Sequence, residues 1–129
     1  MGAAALQSAV AITENASQAI ADIGLAAARL AAATCRVQEL EDDRALVKAR
    51  CIKATIGTPN PLGKEGALHS ASSAKDVVEE HPDYMAHRGL QAEAETDRIL
   101  GWATYEAAKL RAQLQVGLAN AAALSAARE

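Results

Sequence analysis

Apolar and small residues recur through the first part of the chain at steps of three, four or seven. One row runs Leu6, Val10, Thr13, Ser17, Ile20, Ala27, Thr34; a stronger neighbouring row runs Ile20, Ile23, Ala27, Leu30, Thr34, Val37, Leu40. This is the spacing of a helical stripe. No proline interrupts it, and the pattern predicts a long helix over about residues 4–56. Unbroken, such a helix extends ~75 Å at 1.5 Å per residue. A break near Gly24, or a new N-cap at Asp42 and Asp43, is the alternative. The stripe is narrow and rich in small side chains, which suits close helix axes and a coiled-coil-like seam.

Gly57 fits the residue just past a helix end, and Thr58, Pro59, Asn60, Pro61, Leu62, Gly63 cannot continue a helix. A loop is expected over 57–72. Ser73 followed by Asp76 resembles a capping box for a short helix over 74–81. Pro82 suits the first turn of the next helix, where the acid Asp83 is favourable. The last helix, over 83–127, shows a ladder of Met85, Gly89, Ala92, Thr96, Ile99, Ala103, Leu110, Leu114, Gly117, Ala121 and Leu124. Glu93, Asp97, Lys109, Arg111 and Gln115 occupy other faces. The expected fold is one all-α domain over 1–129: a long helical hairpin with a short connecting helix, assembling into a helical oligomer. No repeat of 20–50 residues occurs, which argues against a solenoid.

Composition sharpens the oligomer expectation. Half of the 129 residues are hydrophobic, but roughly a quarter of the chain is Ala, aromatics are 2 % and Phe is absent. Alanine removes little apolar area from water, so one copy has a thin core. Alanine is also the best helix former.

Thirteen Lys and Arg against sixteen Asp and Glu give a net charge of −3, which excludes wholesale polyanion binding. A nucleic-acid contact needs a local patch. Cys35 and Cys51, ~24 Å apart on a straight helix, are too distant to bridge within the chain, and they read as reduced residues of a cytoplasmic protein. No Lys or Arg precedes Arg29, so a signal peptide is not expected. Leu6 stands where a myristoylation motif wants Ser or Thr. No apolar run reaches the ~20 residues that span a bilayer.

No catalytic or metal-ligating constellation is present. His69, His81 and His87 lack ligand spacing and read as solvent-facing or capping residues. The serines around Ser70, Ser72 and Ser73 lie in no nucleophile turn, and the glycines form no phosphate-binding pattern. The acids Glu39, Glu41, Asp42, Asp43 and Glu79, Glu80 read as a solvated face. Neither an enzyme nor a cofactor is expected.

One segment departs from the overall charge. Arg44, Lys48, Arg50, Lys53 and Lys64 fall in a stretch without a single acid, directly after the acidic block. On a helix Arg44 and Lys48 share a face, as do Arg50 and Lys53. Repeated by symmetry, such patches form a track for phosphates. Intrahelical or intersubunit ion pairing with the acidic block is the competing reading. Trp102 and Tyr105 could stack on unpaired bases, but a core this poor in bulk favours them as packing anchors.

The stretch Ala45, Leu46, Val47, Lys48, Ala49, Arg50 before a glycine-containing loop resembles phage recombination mediators of the UvsY-like family. In that family a Lys-Ala-Arg helix precedes an irregular segment, a short helix and a long C-terminal helix. The order here is similar: Lys48, Ala49, Arg50, then the loop, Lys75, Asp76, Val77, Val78, and a helix with Tyr105, Glu106, Ala107, Ala108, Lys109, Leu110. The likeness spans roughly 37–114. It implies a ring-like, non-enzymatic, phage-encoded homo-oligomer that binds single-stranded DNA and helps load a recombinase or annealing protein. Lys48 and Arg50 match the family's DNA-contacting pair. The Ala-rich, net-acidic chain and the Pro59 to Pro61 loop depart from that pattern. The alternative function is a helical scaffold or inhibitor acting through protein contacts alone.

Overall fold

The computed structural model describes residues 2–128, without the side chains of residues 3–6. Leu6, the first position of the expected stripe, therefore lies outside the described side chains. The protein is all-α: α1 spans Ala3–Thr55, a short α2 Ala71–Asp76, a single 3-10 turn Val78–Glu80, and α3 Pro82–Arg128. This is the expected helical hairpin with a short connecting helix, and α1 runs through Gly24 and Asp42 without a break. Two compact units divide the chain, one of Met1–Ala33 with Asp97–Glu129, the other of Thr34–Thr96.

In the first unit the inward face of α1 is Ala9, Ile12, Ala16, Ala19, Ile23, Ala26, Leu30 and Ala33, each buried or half-buried. These positions step by three and four, a seven-residue repeat. On α3 the matching positions are Gly101, Tyr105, Ala108, Ala112, Gln115, Ala119, Ala122 and Ala126. Small residues at most of them permit close approach: a Cβ added to Gly101 would stand 3.6 Å from the Cα of Leu30. The expected stripe is thus corrected. Ile23 and Leu30 point inward as read, but Ala16, Ala19 and Ala26 replace Ile20 and Ala27 as the most buried positions. The predicted ladder of α3 is likewise exposed along this unit. Alanine seams win because helices that touch nearly backbone to backbone gain many dispersion contacts, and where Leu30 stands on that face the residue against it is Gly101.

The second unit has a bulkier core. Cys51, Val78 and Tyr84 pack together, joined by Val47 and Ile52. Leu40 is buried nearby in the same unit, and its carbonyl lies 2.9 Å from Nε2 of the buried His87. Gln91 donates to Glu41 at 3.1 Å. His87 thereby satisfies a polar contact between α1 and α3. It is neither solvent-facing nor a cap, contrary to expectation.

The connector is more ordered than a plain loop. Gly57 adopts φ 82°, the left-handed conformation expected after a helix end. Its N–H donates to the His69 carbonyl at 2.9 Å, and the His69 N–H returns to Thr58 at 2.8 Å. An antiparallel bridge pairs Pro59 with Leu68. The short helix starts earlier than the sequence suggests, because Ser70 rather than Ser73 is the N-cap. Ser73 instead supplies the reciprocal bond, accepting from the Ser70 N–H at 2.8 Å. A serine at the third helical position closes the capping box that Asp76 was expected to close. After Asp76 the chain tightens into the 3-10 turn instead of continuing as one helix to position 81.

Candidate nucleic-acid interface

Four of the five candidate cations, Arg44, Lys48, Arg50 and Lys53, project from the last turns of α1, and Lys64 from the connector; all lie in the Thr34–Thr96 unit. The helix forms here because residues 44–56 carry no proline or glycine, and Val47 and Cys51 anchor one side of it in the core. Turning ~100° per residue, the helix sets Lys48 and Arg50 ~200° apart. The pair expected to contact DNA therefore occupies two faces. Arg44 and Lys48 flank the buried side, and Arg50 and Lys53 share the outward side.

Arg44 is already engaged. Its guanidinium lies 3.6 Å from Glu41, and Tyr84, then Glu41, holds its pKa above the ordinary guanidinium value. Tyr84 itself is fully buried, and its hydroxyl meets no partner at hydrogen-bond geometry. Arg44 senses the phenol as a neighbour without closing that bond. Among the described residues, Lys48, Arg50, Lys53 and Lys64 make no ion pair, while the acidic block is bonded locally through Arg36 with Glu39 at 3.9 Å and Gln38 with Asp42 at 2.8 Å. The competing expectation, that the acids neutralise the basic run, holds for Arg44 alone.

The remaining candidate groups fall elsewhere. His69 is buried with Nδ1 3.1 Å from the Ser73 hydroxyl, and it borders a shallow cleft of about 400 Å³ with His81 and Glu80. His81 accepts from the Asp83 N–H at 3.1 Å, the capping role read for it. Trp102 is 55 % exposed and is no packing anchor. Tyr105 is half-buried, with the Lys109 ammonium 4.8 Å from its ring centre. Burial pushes the Cys51 thiol above its ordinary pKa, and Asp83 adds to the shift. Cys35 is exposed. Among the described residues no cluster of three His, Cys, Asp or Glu could hold a metal ion, and no helix is long and apolar enough to cross a membrane.

Sequence reasoning missed His87 and Tyr84 as structural groups. Both sit on the seven-residue repeat that continues through Gln91 and Ala94, and tracing that repeat, instead of the large apolar residues, would have found them. No family model matches the chain, and no curated protein or solved structure does.

Proposed function

We propose that the chain is a non-enzymatic, homo-oligomeric accessory protein that holds single-stranded DNA through the basic end of α1 and its connector, in the manner of the phage recombination mediators it resembles. The observation that supports this most is the set of cations without ionic partners among the described residues, Lys48, Arg50, Lys53 and Lys64, beside acids whose bonds go to Arg36, Gln38, Arg44 and Gln91 instead. Unpaired ammonium and guanidinium groups that neutralise phosphates release the counterions condensed on the nucleic acid, which yields affinity without sequence preference. Two cationic faces on one helix suit a strand that passes from one copy to the next. Arg44, tied to Glu41, contributes less.

The test is anisotropy of labelled oligo-dT across a salt series. Lys48→Ala/Arg50→Ala is expected to weaken binding and to flatten the slope of log affinity against log salt by about 1.4, from about 0.7 per lost contact. Equal binding by the variant in low salt refutes the assignment. A scaffold without nucleic acid is the second reading, and the charge-free, largely exposed stretch 112–127 of α3 favours it. Absence of any oligo-dT binding by the parent protein selects that reading.

A further inference from the structure

Residues 107–124 of α3 carry a second seam on the side opposite the buried one. Ala107, Leu110, Leu114, Gly117, Ala121 and Leu124 step by three and four, the same seven-residue repeat, yet all are exposed, with Leu110 at 65 %, Leu114 at 62 % and Leu124 at 61 %. A Cβ added to Gly117 would meet nothing within 4 Å. Residues 112–127 contain no charged side chain; just before them Glu106 and Lys109 neutralise one another at 2.8 Å, and Arg111 lines a cleft with Asp22 and Arg29 of α1. A helix face open to water is normally the charged one. This face is patterned as the inside of a coiled coil.

The chain's surface says how much more is to be covered. Its accessible area is 9072 Å², whereas a folded monomer of 13.4 kDa exposes about 6,500 Å². The excess, roughly 2,600 Å², is about three times the ~800 Å² that each partner buries in a standard stable interface. In the first unit the inward seams are mostly alanine, so packing within one copy removes little apolar area from water there. The excess is spread over the whole chain; the exposed seam of α3 is the part of it patterned for a helix, and a second copy offers a matching one.

We propose that this face of α3 pairs antiparallel with the same face of a second copy. In the register that sets Ala107 against Leu124, Leu110 against Ala121 and Leu114 against Gly117, every leucine meets a small residue, so layers interdigitate without voids. Shifted by one heptad, the pairing sets leucine against leucine: Leu110 against Leu114 and Leu100 against Leu124 in one direction, Leu114 against Leu124 in the other. An antiparallel pair closes by two-fold symmetry. The proposal deepens the oligomer part of the function proposed above and is independent of the DNA part.

Two experiments without DNA test it. Light scattering of the full chain at micromolar concentration should give an oligomer, and Leu110→Glu/Leu114→Glu, at sites exposed within one copy, should keep its helical circular dichroism while its dissociation constant rises about a hundredfold or more. On a Cys35→Ser background, an equimolar mixture of Ala107→Cys and Leu124→Cys chains should cross-link on oxidation, and neither alone should, since like positions lie ~25 Å apart in this register. Cross-linking of either variant with itself overturns the antiparallel pairing. An oligomeric parent with an unaltered double-Glu variant and no mixed cross-link overturns the seam and leaves the oligomer reading intact. A monomeric parent overturns both. Should the double-Glu variant unfold, the cross-links decide.

Discussion

Tyr84 is the largest side chain fully withdrawn from solvent among the described residues, and its hydroxyl is buried without a hydrogen-bond partner. Its ring fills the core with Val78 and Cys51. Removing a buried, unbonded hydroxyl while keeping the ring abolishes a desolvation cost and little else. Tyr84→Phe is therefore expected to leave urea stability unchanged or raise it by up to about 1 kcal/mol, whereas Tyr84→Ala loses about 3–5 kcal/mol. A loss of more than about 1 kcal/mol in the Phe variant would mean that Arg44 bonds the hydroxyl in solution. Cys51 has a pH signature of its own. Burial, then Asp83, raises its thiol pKa in the folded chain. Below the ordinary thiol value both states hold the proton and the group is silent. As pH rises through that value the unfolded chain ionises first, so stability falls. The urea midpoint should drop between about pH 8 and pH 10, and drop less in Cys51→Ala. At neutral pH a thiol reagent should label Cys35 at once and Cys51 only on unfolding.

At the scale of the element, the helices were legible and their inward faces were not. Absence of proline, abundance of alanine, Gly57 and Pro82 fixed where α1 ends and α3 begins, because these residues act through the local backbone. The inward register depends on which side of one helix meets another. Large residues drew the stripe toward Ile20 and the α3 ladder, while the close seam selects Ala and Gly. The cations were legible as a run; that Arg44 is tied to Glu41 and Tyr84, and that Lys48 and Arg50 face apart, follows only from packing. Two glycines separate the local from the tertiary effect. Gly101 lies inside α3, and an added Cβ would make ordinary contact with Leu30 at 3.6 Å. Gly101→Ala should therefore stabilise the protein by about 0.5–1 kcal/mol through helix propensity. Gly57, at φ 82°, should respond oppositely, with Ala costing about 1–2 kcal/mol for the left-handed conformation. Thermal denaturation of the two variants should move in opposite directions.

For the whole molecule the governing quantity is uncovered surface. A chain whose internal seams are built of alanine gains little per residue from its own packing, at about 25 cal/mol per Å² of apolar area removed from water, and retains 9072 Å² in contact with solvent. Its stability should therefore depend on how many copies are present. When folding and association are one event, dilution favours the unfolded chains by mass action. A tenfold change in concentration corresponds to about 1.4 kcal/mol. Spread over the unfolding entropy of two such chains, that is a shift of about 2–4 °C in Tm per tenfold dilution. The parent protein should show this slope across a hundredfold concentration series followed by circular dichroism. Leu110→Glu/Leu114→Glu should melt lower and with no slope, since a lone copy unfolds independently of its neighbours. A parent with a concentration-independent Tm would mean that each copy is stabilised by its own contacts alone, and the exposed leucines of α3 would then need another occupant.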